Sequence, residues 1–283
     1  MIHLVTDSTA YLPEQVKQQY NIHTISLKIC VGDDTYDEEG GITQDEFYCL
    51  LDDVATSPTT SQPSAGEFID LYQGLLGEED EIISIHISSE LSGTVPNAMA
   101  AAQELAPDRI HVVDSRSAAI GMEPMVISAA EALAAGKSRD EVLAMLSRMI
   151  DEVSVYFSVD TLEYLHKGGR IGAASRLLGT LLNIKPVLYL FEGKIQPLDK
   201  VRTSKRARQR IVDEVVQAMG DKPVRVAITH ILAPKAAESV AAQAKERLNV
   251  VWMDTSEVGP VIGSHVGPGT IGIAACPVGE DGI

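Results

Sequence analysis

Apolar residues fall along this chain in two rhythms: short continuous runs, and longer stretches with helical spacing. Residues 2–6 form a short run that ends in Asp7-Ser8-Thr9, with Pro13 placed for the first turn of a following helix. Residues 22–29 predict a second strand. Thr43 and Glu46, Ser64 and Glu67, and Ser138 and Glu141 each stand three apart ahead of an apolar-periodic stretch. At that spacing a hydroxyl and a carboxylate satisfy each other's free amides at a helix start. Residues 81–87 and 109–113 predict two more strands, each followed by a hydroxyl-rich loop and then an alanine-rich helix. Strand, polar loop and helix in repetition predict a parallel sheet with its ligand edge at the carboxyl ends of the strands.

The second half of the chain has a different pattern. Residues 153–158 are strand-like, 161–166 helical, and 171–182 an amphipathic stretch. Residues 184–191 and 194–198 flank Glu192-Gly193, a hairpin signal. A helix over 204–219, a strand over 224–229, a helix over 234–248 and a strand over 250–253 follow. The fold class this predicts is α/β with two domains. An N-terminal parallel-sheet α/β domain spans 1–152 and a C-terminal α+β domain with a mixed sheet spans 153–283, with a ligand expected between them.

Composition narrows the partners. Lys and Arg number 23 against 40 Asp and Glu, a formal charge of −17. Such a field repels nucleic acid and anionic lipid headgroups, so no nucleic-acid partner is expected. One local exception is the basic stretch holding Lys200, Arg202, Lys205, Arg206, Arg208 and Arg210, either a solvated helix face or a dock for a phosphorylated ligand or an acidic partner. Aromatic residues make up 5% of the chain, which favours aliphatic slots over base- or sugar-stacking walls. Cys30, Cys49 and Cys276 form no C-x-x-C pair, so neither a disulfide framework nor a metal site is expected. The first residues lack a basic segment leading into an apolar one, and Lys185 and Pro186 interrupt the longest apolar run. The expected setting is soluble and cytoplasmic, without stable membrane insertion.

Small hydroxyl and glycine loops carry the candidate chemistry. They are Thr60-Ser61-Gln62-Pro63-Ser64, Ser88-Ser89-Glu90-Leu91-Ser92-Gly93-Thr94, Lys167-Gly168-Gly169-Arg170 and Gly263-Ser264-His265-Val266-Gly267-Pro268-Gly269. Ser92 precedes a helix, where a hydroxyl and free amides either bind an anion or simply cap the helix. Arg170 can grip a carboxylate bidentately or form an ion pair. His265 can donate to the same anion, act as a base, or be structural. Asp7-Ser8-Thr9 and Asp114-Ser115-Arg116-Ser117 read equally as substrate loops or as turns. Gly267 to Gly272 formally matches G-x-G-x-x-G, but too little chain follows for the rest of a dinucleotide site, so a tight turn with close backbone approach is expected. A lipid-directed serine hydrolase using Ser92, His265 and Asp114 or Asp7 is a rival reading, and it lacks the G-x-S-x-G elbow. A binder of a small phosphorylated metabolite, using residues 202–210, is a third.

Six segments in order resemble the DegV family: Val5-Thr6-Asp7-Ser8-Thr9, Thr60-Ser61-Gln62-Pro63-Ser64, Leu91-Ser92-Gly93-Thr94, Lys167-Gly168-Gly169-Arg170-Ile171, Ile184-Lys185-Pro186-Val187-Leu188 and Gly259-Pro260-Val261-Ile262-Gly263-Ser264-His265. The family comprises fatty-acid-binding proteins that serve as acyl-carrying subunits of bacterial fatty acid kinase, and the resemblance runs over essentially the whole chain. It implies a non-catalytic, cofactor-free carrier that encloses one long-chain fatty acid between two domains. Thr60 or Ser61, and Ser92, would hold the carboxylate, with Arg170 and His265 nearby. A separate ATP-binding kinase subunit would phosphorylate the bound acid for phospholipid metabolism, with Arg202 at the partner or phosphate contact. Leu177, Leu178, Leu181 and Ile184 serve this reading as tunnel walls, or equally as core.

Overall fold

A computed structural model describes residues 1–51, 58–179 and 184–279. Two compact units emerge: Met1–Ile150 with Gly259–Val261, and Asp151–Val258 with Ile262–Ile283.

The first unit runs β1 (Ile2–Asp7), α1 (Glu14–Tyr20), β2 (Ile22–Ile25), β3 (Lys28–Val31), β4 (Asp34–Asp37), α2 (Gln44–Leu51), β5 (Thr59–Ser61), α3 (Ala65–Leu75), β6 (Glu81–His86), α4 (Thr94–Leu105), β7 (Ile110–Asp114), α5 (Glu123–Ala134) and α6 (Arg139–Glu152). Its main sheet is wholly parallel, ordered β2-β1-β6-β7. The apolar faces of α3 and α4 close over this sheet, with Phe68, Tyr72, Ala98 and Ala101 packed on Val5, Ile82 and Ile110. All three expected capping boxes form: Thr43 with Glu46, Ser64 with Glu67 and Ser138 with Glu141 exchange side-chain and backbone hydrogen bonds.

The single strand expected over 22–29 is two strands in two sheets. β2 pairs with β1, whereas β3 joins a small antiparallel sheet ordered β4-β3-β5. The break falls at Ser26-Leu27, where the Leu27 amide donates to Ser8 Oγ at 3.0 Å instead of to a strand.

The second unit runs β8 (Ser154–Ser158), α7 (Glu163–Lys167), β9 (Lys185–Phe191), β10 (Lys194–Val201), α8 (Ser204–Met219), β11 (Pro223–His230), α9 (Pro234–Arg247), β12 (Asn249–Glu257), α10 (Pro260–Val266, of which Pro260 and Val261 cluster with the first unit) and β13 (Ile271–Pro277). Its mixed sheet is ordered β10-β9-β8-β13-β11-β12, parallel only between β11 and β12. The hairpin turn has Glu192 at φ 48° and Gly193 at φ 77°, as a two-residue turn matched to strand twist requires. Ile211, Val212 and Val215 of α8 and Val240 of α9 bury against Val226, Ile228 and Ile273. Two segments add to the sequence reading here. The 171–182 stretch gives a short 3-10 helix, Gly172–Leu177, because Gly172 sits at φ 51°, outside the α region; its last residues, including Leu181 and Leu182, lie outside the described residues. After Gly269, where the sequence reading assigned no element, the chain forms β13, an interior strand between β8 and β11.

Candidate functional site

In the first unit the chain leaves β1 toward β2 on one side, while β6 lies on the other. Parallel sheets open a crevice at the carboxyl ends of the strands where the order reverses in this way. Two groups meet there: a buried polar clamp and the hydroxyl loops.

The clamp is built on Asp7, which is fully buried. Tyr72 OH donates to Ser84 Oγ at 2.9 Å, and Ser84 Oγ lies 2.7 Å from His86 Nε2. Ser84 Oγ has lone pairs enough to accept from Tyr72 and still face the ring in either role, so the ring is fixed from its other side: Nδ1 lies 3.1 Å from Asp7 Oδ2, an acceptor, and so carries a proton. Asp7 also accepts from the Ile87 amide at 2.9 Å and from the amide and hydroxyl of Thr9. The order Ser–His–Asp is that of a hydrolytic triad, but Ser84, His86 and Asp7 are all 0% exposed, which bars any substrate. Its effect is to fix the ends of β1 and β6, from which the polar loops spring.

The hydroxyl loops lie side by side. β5 pairs with β3 so that Thr60 faces Ile29 and Ser61 faces Lys28, both half-buried. Asn97 Nδ2 donates to the Pro63 carbonyl at 2.7 Å. The absent side chain of Gly93 leaves room for Gln62, whose Nε2 lies 2.8 Å from where a Cβ would stand, so the two loops touch through that amide. The Ser92 amide donates to the Ser88 carbonyl, and Ser92 Oγ shares a 2.9 Å hydrogen bond with Thr94 Oγ1. Gly93 offers α4 no side-chain cap, leaving Ser92 at the positive end of a twelve-residue helix.

In the second unit, Arg170, Gly168 and His265 come together. Arg170 Nη1 donates to the Gly168 carbonyl at 2.8 Å. A Cβ on Gly168 would fall 2.1 Å from His265 Nδ1, so the glycine makes room for the ring. Burial first, and the Arg170 charge second, push the His265 imidazole down to about 4, so it is neutral near pH 7. Gly267, after the helix that carries His265, is pressed against the Tyr164 ring, the close approach expected of that loop.

A cavity of about 630 Å³ in this unit is lined by Leu177, Leu178 and Ile184 together with His166, Lys185 and Arg202. Arg202 is exposed at the start of the basic stretch, whereas Arg210 is engaged by Asp199 and Glu214. The two acids of the hydrolase reading have other partners. Asp7 holds His86, and Asp114 accepts from the Ser89 amide and hydroxyl and from the Arg116 amide.

Sequence reading missed Glu38, which is buried and accepts from Ser8 Oγ, from Tyr11 OH at 2.9 Å and from the Val261 amide at 2.8 Å. Only its place in Glu38-Glu39-Gly40-Gly41 marked it, and that reads as a solvated turn. Among the described residues no group of three or more His, Cys, Asp or Glu is placed to hold a metal ion, and no helix is long and apolar enough to cross a membrane.

Comparison with known proteins sets these features in a family. A family model described as an uncharacterised protein of the DegV family matches residues 1–278. A DegV domain-containing protein of Streptomyces coelicolor is 38% identical over 274 residues, 96% of this chain and 97% of the relative. Among solved structures, a fatty-acid-binding DegV family protein from Thermus thermophilus aligns with a TM-score of 0.93 at 39% identity, covering 98% of this chain and 99% of that one. DegV of Bacillus subtilis, described as a fatty acid binding protein, gives 0.87 at 36% identity, covering 98% and 99%.

Proposed function

The chain belongs to the DegV family, and from that premise we propose that it binds one long-chain fatty acid. Its carboxylate is held by the hydroxyls of Thr60, Ser61 and Ser92, the guanidinium of Arg170 and the imidazole of His265. The observation that carries this reading is the likeness, at 39% identity over nearly the whole chain, to a Thermus protein described as binding fatty acid. Physical chemistry supports it. Burying roughly fourteen methylenes gains on the order of 11 kcal/mol before ordering and association costs. The carboxylate loses water on entry and needs several donors and a cation to offset that loss.

In this reading the chain is a carrier and not a catalyst. It acts in the cytoplasm and presents the acyl carboxylate to a separate ATP-dependent kinase subunit that forms an acyl phosphate, with Arg202 at the contact with that partner or with the phosphate. Holding the acid in the assembled complex makes phosphoryl transfer effectively intramolecular. The proposed division is an α/β domain over 1–152 and an α+β domain over 153–283. The hydrolase alternative is disfavoured because Asp7 and Asp114 direct their carboxylates to groups other than His265. The test combines a radiolabelled fatty acid, the kinase subunit and ATP. The reading expects acyl phosphate that depends on this chain and falls with Arg202→Ala; ester cleavage by the chain alone, abolished by Ser92→Ala, would favour the hydrolase.

A further inference from the structure

Glu38 is a buried acid for which neither the sequence motifs nor the proposed ligand contacts have a use. Burial strips a carboxylate of water, and such a group persists only when donors replace that water. Here Ser8 and Tyr11, from the segment after β1, supply two. The third is the amide of Val261, the second residue of α10. Pro260 has no amide hydrogen, so Val261 presents the first N–H of that helix, and a side chain far away in sequence accepts it. The chain must also come close enough. A Cβ on Gly259 would sit 2.5 Å from Tyr11 Cε1 and 2.8 Å from Glu38 Oε1, so only glycine allows the approach. The same short helix carries Ser264 and His265.

We propose that Glu38 is a positioning residue for α10, its ionised carboxylate clamping the Val261 amide and thereby setting where His265 is held. The bearing on ligand affinity rests on the fatty-acid reading; the clamp itself does not. Ionised, Glu38 accepts from all three donors. Protonated, one oxygen becomes a donor facing Ser8, whose hydroxyl already accepts from the Leu27 amide, and the grip on Val261 weakens. Burial pushes the Glu38 carboxyl up to about 7, against the pull of Ser8, Val261 and Tyr11, and the neighbouring Asp7 charge raises it further. Among the described residues Tyr11 and Asp7 are the titratable groups that face it, so the clamp engages as pH rises through neutrality.

The test follows the His265 ring by NMR between about pH 6 and about pH 8. His265 itself titrates far below that window. In the wild-type chain its ring signals are expected to shift with a midpoint near 7, and in Glu38→Gln the shift is absent. Tyr11→Phe removes a donor to the ionised form, so the midpoint should move to higher pH; this serves if Glu38→Gln fails to fold. In parallel, affinity for a fluorescent long-chain fatty acid should rise several-fold across the window in the wild-type chain and stay flat and weak in Glu38→Gln. An unshifting His265 in the wild-type chain, or the same midpoint in wild type and variants, overturns the clamp. Shifting signals with no fatty-acid binding at any pH would leave the clamp standing and defeat the ligand reading instead.

Discussion

The His265 ring occupies the space that a side chain on Gly168 would need, with Nδ1 only 2.1 Å from the position of the missing Cβ. Gly168→Ala must therefore push a half-buried ring off its seat beside Arg170. Overpacking of this kind costs about 1–3 kcal/mol. The expected outcome is a modest loss of stability with a larger loss of fatty-acid affinity, read by thermal denaturation and ligand titration on the same preparation.

His265 also predicts a pH window. Its folded value of about 4 lies below the ordinary 6.5, chiefly through burial. The unfolded chain thus takes up this proton more readily than the folded one. Stability from this group is complete above about 6.5 and is lost as pH falls from there through about 4. Denaturant unfolding as a function of pH should show this loss in the wild-type chain and a shallower one in His265→Asn. A bound carboxylate raises the histidine toward its ordinary value, so saturation with fatty acid should shift the loss to a different pH.

Headgroup substitutions should separate charge from hydroxyl. Hydrogen bonds to charged groups contribute about 1.5–3 kcal/mol each, so Ser92→Ala should weaken fatty-acid binding by about one to two powers of ten. Arg170→Lys keeps the charge but loses the planar fork that reaches the Gly168 carbonyl, and should weaken binding as well. Isothermal titration of each variant checks the ranking, and Thr60→Ala against Ser61→Ala tells which hydroxyl contacts the acid.

The Asp7 clamp predicts a stability effect without any hydrolytic one. Removing one partner of a buried pair costs about 3–5 kcal/mol, so His86→Leu should lower the denaturation midpoint sharply. Ser84→Ala strips a partner from both Tyr72 and His86 and should cost about 1–3 kcal/mol. Neither variant should change ester turnover above background in a chromogenic ester assay.

Local chemistry made much of this fold readable. Ser64 with Glu67 marks a helix start because both partners of the box lie within one turn, and Glu192-Gly193 marks a hairpin because the turn itself selects those residues. β13 escaped because its Gly272, Ala274 and Ala275 carry no strong apolar signal; its place is set by β8 and β11, which lie far away in sequence. The break between β2 and β3 escaped for a like reason, since the Leu27 amide is captured by Ser8. Among site residues, the pairing of Gly168 with His265 and of Gly93 with Gln62 gives those loops a geometric reason the sequence only hinted at. Glu38 and His86 could not be read, because what distinguishes each is burial among donors brought from distant segments.

Native mass spectrometry of the purified chain, followed by organic extraction, reads directly whether an acyl ligand is bound. One intact long-chain fatty acid per chain is expected, retained by the wild type and lost when Ser92→Ala and Arg170→Ala are combined. A wild-type chain that carries no acyl ligand, and takes up none when offered an excess, would contradict that expectation.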